Sequence, residues 1–570
     1  MGEIEPTSVQ ADAQLKEVAV VASPVVVPHT LSESSLSDVS GNGDDTSRRL
    51  PIEGTYRSSY RCRRVASKTV LSFQSKDPEN PVNWSTKKKL FVLLSGVMNV
   101  LNSTLGSSLP SGAIPFIARD FNINSAEQLT LPISLFLLGY VFGPIVCGPL
   151  SESYGRKPVV IVGFTAFTLF TLACALAQSW TALLIMRFFV GVAASAPIAV
   201  VGGMFADVYD EPRTRGRYMA CFMAATCAGP IVGPPITGFI SVVSWRWSFW
   251  VGLIFAGLTS PLVILTPETY APILLQRRAR KLRKETGDDK IVAALDLEKK
   301  GIKETLTVTL TRPIRMILFE SIVLFTCLYL SLVYAIFFMY FQTYPLIFQR
   351  MYHMNPGVAG LMYLPIGVGV AAALALFYCW DSFLHRAKLR HASWSSVEEY
   401  RRLPLAVVGG PLFVVSLFWL GWTASPDIHW SVPMLSGIPF GAGFLLIFIA
   451  MINYLSDAYE TYSASAQSAA SFARSILGTV LPIAAGRMYA VLGISWGCSL
   501  LAFASLAMTA IPFAFIRYGD RIRAGSRFCQ HLKQLKEQRM REDEEEEASS
   551  RAAGQQLAQG DENLNISEKV

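Results

Sequence analysis

A chain of 570 residues that is 51% hydrophobic but only 16% charged, with a mean hydropathy of +0.37, has too few charges to solvate a soluble surface and is read as a polytopic membrane protein. Its net charge of +8 does not mark a nucleic-acid footprint, because the cations are scattered among loops and offset by the acidic run Glu542 to Glu547. The nine cysteines occur singly, mostly within apolar stretches, which excludes a disulfide framework. His29, His353, His385, His391, His429 and His531 fall in tails or loops without metal-ligand pairing or a partner nucleophile, so neither an enzyme nor a metal or organic cofactor is expected.

Residues 1–87 are polar and open on no apolar core flanked by small residues, so no cleavable signal peptide is expected and the segment reads as a disordered cytoplasmic tail. Twelve apolar stretches follow, each close to the roughly 20 residues that cross a bilayer. They run 89–110, 130–150, 158–178, 181–206, 217–240, 247–267, 315–344, 357–379, 404–423, 430–454, 463–486 and 493–516. The seventh is overlong, which implies tilt or a projecting end. The reading is an all-α membrane protein with a six-helix bundle over 88–267, a middle loop over 268–314, a second six-helix bundle over 315–517 and a tail over 518–570.

Basic residues segregate to one side. Lys87, Lys88 and Lys89 precede the first span, and the same side carries Arg156, Lys157, Arg213, Arg215, Arg217, Arg386, Lys388, Arg390, Arg401 and Arg402, whereas the other offers Arg119, Arg246 and Arg350. The positive-inside rule then puts both termini in the cytoplasm. In the middle loop, Arg277, Arg278, Arg280, Lys281, Arg283 and Lys284 suit either a basic helix on the inner leaflet or a solvated connector.

Between spans 2 and 3 lies Gly148-Pro149-Leu150-Ser151-Glu152-Ser153-Tyr154-Gly155-Arg156-Lys157-Pro158. Two glycines allow a tight reversal, Glu152, Arg156 and Lys157 can lock against neighbouring helix ends, and Pro158 suits the first turn of the next helix. This run resembles the loop between spans 2 and 3 of the major facilitator superfamily. The resemblance implies two pseudo-symmetric six-helix halves around a central pocket. Asp381, followed by Arg386, Lys388 and Arg390, is similar to a decayed second copy without the glycines.

Span 4 contains Arg187-Phe188-Phe189-Val190-Gly191, which resembles the superfamily's span 4 motif. An arginine facing lipid costs at least about 2.5 kcal/mol, so Arg187 is expected inside the bundle, either tuning proton coupling and anion binding or bonding carbonyls of a neighbouring span. Span 5 holds Ala228-Gly229-Pro230-Ile231-Val232-Gly233-Pro234-Pro235, a kinked packing element between the halves. It resembles the Gly-Pro-x-x-Gly-Gly element of the antiporter branches, with Pro234 in place of the last glycine.

Further stretches look like the fungal twelve-span drug:proton antiporter branch, which includes polyamine and multidrug exporters. They are Asp77-Pro78-Glu79-Asn80-Pro81-Val82-Asn83-Trp84-Ser85, Pro267-Glu268-Thr269-Tyr270-Ala271-Pro272, Asn453-Tyr454-Leu455-Ser456-Asp457-Ala458-Tyr459 and Arg487-Met488-Tyr489. The resemblance implies a monomeric plasma-membrane carrier, with the vacuolar membrane as alternative, that exports a small drug-like compound or secondary metabolite against a proton gradient. A polyamine exporter and a proton-coupled nutrient or organic acid uptake carrier remain open, as does a non-transporting sensor.

No acid sits mid-span in spans 1, 2, 4, 5, 8 or 11. Gating and coupling candidates are Gly148, Glu152, Gly155, Arg156, Lys157, Arg187, Asp207, Gly229, Pro230, Gly233 and Glu320, with Glu152 and Asp207 at the inner gate and Glu320, about a turn into span 7, the best embedded acid; proton coupling itself is what the resemblance implies, and its residue is left unassigned. Substrate-cavity candidates are Asn99, Asn102 and Ser107 on span 1, Tyr340, Gln342 and Tyr344 on span 7, and Asn453 on span 10, each of which also suits an interhelical hydrogen bond.

Overall fold

The computed structural model describes residues 60–65, 68–74, 76–297, 302–396, 398–459, 462–526 and scattered positions up to 541. Residues 1–59 of the tail expected over 1–87, the acidic run 542–547, His29 and His531 lie outside the described residues. Two compact units emerge, one from residues 1–80 and 272–299, the other from 81–271 and 300–570.

The larger unit is the membrane body. Among the described residues, 11 helices are long and apolar enough to cross a membrane: Thr86–Asp120, Glu127–Tyr154, Arg156–Ala175, Trp180–Val208, Arg213–Ile240, Arg246–Leu265, Ser321–Met351, Pro356–Leu389, Glu399–Thr423, Ser431–Tyr459 and Ser463–Gly519. The last is two spans. Its helical stretch of 63 residues breaks at Gly493, whose φ of 72° and ψ of 174° leave the helical region, so the twelve expected spans are present. That helix continues to Gly525, past the expected boundary at 517.

Span 7 required correction. Its helix starts at Ser321, because Glu320 at φ −110° and ψ 110° interrupts the chain after a separate helix, Ile302–Phe319. The overlong stretch is thus a membrane span preceded by an independent helix, and Glu320 stands at the span's start rather than a turn inside it.

Small residues bring the spans together. Gly229 and Gly233 on span 5 abut Thr104 and Ser108 on span 1 so closely that a Cβ at either would collide. Gly360 on span 8 packs against the carbonyl of Pro234, and Gly238 on span 5 against the carbonyl of Pro356. The Gly-Pro stretch of span 5 therefore joins the halves, as its composition predicts.

The smaller unit corrects the reading of 1–87 as wholly disordered. Strand β1 (Tyr60–Val65) pairs antiparallel with β2 (Lys68–Phe73), which pairs in parallel with β3 (Ile291–Ala293) at Thr69↔Ile291. The basic helix Ala271–Thr286 lays Leu275, Ala279 and Leu282 against Leu71, Ile291 and Ala293. Arg278 pairs with Asp77 at 2.9 Å and Arg283 with Asp296 at 2.9 Å. That helix therefore packs part of its apolar face on the sheet.

Candidate functional site

The turn between spans 2 and 3 builds the first cluster. Gly155 adopts φ 103° and ψ 158°, a backbone region open to glycine, and reverses the chain so that Arg156 opens span 3. Gly148 does not share that task; it is helical, with nothing within 4 Å of where a Cβ would stand. Glu268, just after span 6, places its carboxylate on the start of span 3, accepting from the backbone N–H of Arg156 at 2.9 Å and of Lys157 at 3.2 Å. The Arg156 guanidinium reaches Asp207 of span 4 at 3.2 Å and the Ser151 hydroxyl at 2.7 Å, and stacks 4.8 Å from the Tyr270 ring. Thr269 donates to the same Asp207 carboxylate at 3.3 Å. Glu152, expected in this lock, is instead exposed at the rim of a cavity. Lys157 contributes its backbone N–H here rather than an ion pair.

Glu268 was the residue missed in this cluster. Its signal was available, since Pro267-Glu268-Thr269 was singled out for its resemblance and stands at the same membrane face as the turn.

Arg187 lies deep in the first half, only 1% exposed. It donates to the carbonyls of Pro132 at 2.8 Å, Gly106 at 2.8 Å and Ser107 at 3.2 Å, tying span 4 to spans 2 and 1. Phe136 stacks on it at 4.6 Å. This is the carbonyl-bonding alternative, and Arg187 does not line the cavity.

Glu320 is buried at 3% exposure and accepts a hydrogen bond from the Tyr459 hydroxyl at 2.9 Å, joining the start of span 7 to the end of span 10. It too stands apart from the cavity.

The cavity occupies about 790 Å³ between the halves. Thr104 and Ser107 of span 1, Tyr140 of span 2, Pro230 of span 5, Tyr334, Phe337 and Phe338 of span 7, and Phe444 and Phe448 of span 10 form its deep wall. Gly148, Glu152, Arg156, Arg215, Arg401, Arg402 and Asp457 line it at the ends of their spans, so it opens on the face that carries the basic loops. On the opposite face, a crevice between Ser111, Pro234, Gln349 and Tyr363 holds only about 10 Å³.

Of the expected cavity residues, Ser107 and Asn453 line it. Asn102 instead donates to the Thr259 hydroxyl of span 6 at 2.7 Å, a fate its span position permits equally. Asn99 is buried at 1% exposure outside the lining, and its side-chain oxygen meets no partner among the described residues. Tyr340 and Tyr344 are rotated into an aromatic stack with Phe440 and Tyr363, at ring separations of 3.9 Å for Tyr340–Phe440 and 4.5 Å for Tyr344–Tyr363. Gln342 likewise falls outside the lining.

The most consequential residue that sequence reasoning missed is Arg474. It lies mid-helix in span 11, lines the cavity, and places its guanidinium 5.5 Å from the Tyr334 ring and 5.9 Å from Phe448. Its signal was the one that singled out Arg187, a charge within an apolar span.

On the basic face one carboxylate ties the halves together and another ion pair braces the second half. Asp381 at the end of span 8 accepts from Arg213 at 3.1 Å and Arg217 at 2.9 Å at the start of span 5. Arg402 holds Asp457 at 3.1 Å within the second half, joining spans 9 and 10.

Two six-helix halves around one central cavity are the architecture of a membrane transporter. The family model for the Major Facilitator Superfamily matches residues 96–482, and the chain belongs to that family. It is 39% identical to the citrinin biosynthesis cluster MFS transporter mrr1 of Monascus ruber, over 79% of this chain and 90% of that one. It is 37% identical to the multidrug transporter mdrA of Aspergillus fumigatus, over 78% of this chain and 74% of that one, and 37% identical to the efflux pump FUBT of Fusarium oxysporum, over 84% and 79%. Among solved structures, the proton:xylose symporter XylE matches with a TM-score of 0.56 at 15% identity, covering 76% of this chain and 97% of that one, a likeness of fold.

Proposed function

We propose that the chain is a proton-driven efflux carrier of the fungal drug:proton antiporter branch, moving drug-like compounds or secondary metabolites outward by alternating access. The observation that carries this reading is the cavity of about 790 Å³, walled by aromatic rings and lined at its mouth by the basic loops. Its size and lining suit a drug-sized organic molecule. By the positive-inside rule the open face is cytoplasmic, so both termini are cytoplasmic and the structure is the state that loads from inside. The relatives named for efflux, multidrug transport and a biosynthetic cluster support the outward direction.

The halves rock about the cavity as rigid bodies, with the proton gradient as driving force and no bound cofactor. The carrier acts as a monomer in the plasma membrane, with the vacuolar membrane as alternative and no nucleic-acid partner. Polyamine export is the weaker reading, because the carboxylates that line the cavity, Glu152 and Asp457, stand at its mouth and Asp457 is paired with Arg402. Expression in a yeast strain stripped of its own efflux pumps tests the proposal. Lower cellular accumulation of the neutral dye Nile red, restored by a protonophore, is the expected result; unchanged or increased accumulation sinks it.

A further inference from the structure

Arg187 and Arg474 both lie within spans, yet the structure treats them differently. Arg187 spends its donors on three backbone carbonyls. Arg474 instead donates to the Ser471 hydroxyl, one turn before it, at 3.2 Å and has two aromatic rings beside it. Among the described residues no carboxylate stands within ion-pair reach, and its remaining surface opens into the cavity. At 1.5 Å per residue it lies about 16 Å along the helix from Ser463, near the middle of the bilayer. A cation at that depth is costly without a partner, and such a residue marks a substrate path.

The cavity's charge agrees. Its lining contains Arg156, Arg215, Arg401, Arg402 and Arg474 against Glu152 and Asp457, so the field in the cavity attracts anions. A guanidinium offers a planar fork that meets a carboxylate with two parallel hydrogen bonds. Tyr334 and Phe448, placed against that guanidinium, offer faces on which a ring attached to the carboxylate can stack.

We propose that Arg474 is the anion-binding residue of the cavity and that, among the drug-like compounds carried, it favours organic acids with the carboxylate on or beside a planar aromatic ring. The inference rests on the transport reading of this cavity and names its substrate class. Ser471, one turn from Arg474 on the same face, adds a hydroxyl donor to the anion.

The test uses the full-length chain in lipid nanodiscs and three probes of one shape: 2-naphthoate, methyl 2-naphthoate and 2-naphthylmethylammonium. The acid is expected to bind at least about tenfold more tightly than the ester, and the amine more weakly than both. Arg474→Gln should bring the acid down to the ester's affinity while leaving the ester's own binding unchanged, and Arg474→Lys should restore part of the difference. Equal binding of acid and ester by the native chain overturns the assignment, as does an acid preference that survives in Arg474→Gln. If Arg474→Gln does not fold, the acid-to-ester ratio of the native chain decides alone. Failure here leaves efflux standing, because efflux is read from cellular accumulation of a neutral dye; failure there with a retained acid preference leaves the anion site standing.

Discussion

The Glu268 carboxylate caps the helix that Arg156 opens. Besides the N–H groups of Arg156 at 2.9 Å and Lys157 at 3.2 Å, it accepts those of Thr269 and Tyr270, each at 3.0 Å. An anion at a helix N-terminus satisfies donors that have no partner within the helix and complements the helix dipole. The residues just after the first half's sixth span thereby fix the start of its third.

Glu268→Ala should therefore cost on the order of 3 kcal/mol, because four N–H groups lose a charged acceptor at a site only 5% exposed. Glu268→Gln keeps one acceptor oxygen and should cost roughly half as much. Thermal unfolding of the purified chain in detergent reads both. A melting temperature unchanged in Glu268→Ala would show that water replaces the carboxylate.

The two glycines of the same turn should separate. Gly155→Ala forces a side chain into φ 103° and drives its Cβ into Glu268, so it should lose about 1–3 kcal/mol and the cap together. Gly148→Ala adds a methyl group to open space within a helix and should leave stability unchanged or slightly raised, by about 0.5 kcal/mol. If Gly148→Ala folds normally yet abolishes efflux, that space is filled when the inner face closes.

Arg187→Ala should reduce folded protein rather than merely transport. It orphans carbonyl acceptors on spans 1 and 2 and leaves a hole between three helices, a loss of roughly 3–5 kcal/mol by comparison with other broken buried charge networks. Arg187→Lys keeps the charge but loses the fork that reaches two spans at once, and should fall between. Yield and monodispersity on size-exclusion chromatography measure this; a well-folded, inactive Arg187→Ala would instead give the residue a direct part in transport.

The spans and the turn were legible because each has a local signature: twenty apolar residues, or glycine beside a charge cluster. Helix rotation has none. Tyr340 and Tyr344 are as polar as Tyr334, yet Tyr334 faces the cavity while the other two stack against Phe440 and Tyr363, a difference set by packing across the second half. Glu320 was misplaced for a related reason. Its break carries no proline or glycine, and the apolar run reads through it. The sheet was beyond reach, since β2 meets β3 some 220 positions later, and the β1–β2 hairpin is joined by Ala66-Ser67 without the Asn-Gly or Asp-Gly pair that would announce it. Arg474 was the avoidable omission, a single charge hidden in a stretch rich in serine and alanine.

The outer face offers a last contrast between charge and packing. Glu127 of span 2 and Arg487 of span 11 form an ion pair across the halves there, with the Arg487 side chain 81% exposed. Exposed pairs contribute about 0–1 kcal/mol and weaken with salt, so Arg487→Ala should change efflux by about twofold or less. Gly360, by contrast, lies against the backbone of Pro234 and Pro235 where no side chain fits. Gly360→Val should wedge span 8 from span 5 and admit water to the outer crevice, because packed interfaces yield by shifting whole helices. A cysteine placed at Ser111, which lines that crevice, should then become reactive to a membrane-impermeant maleimide added outside, in Gly360→Val but not in Arg487→Ala. Labelling in the second variant and not the first would make the ion pair, rather than the packing, the seal of the outer face.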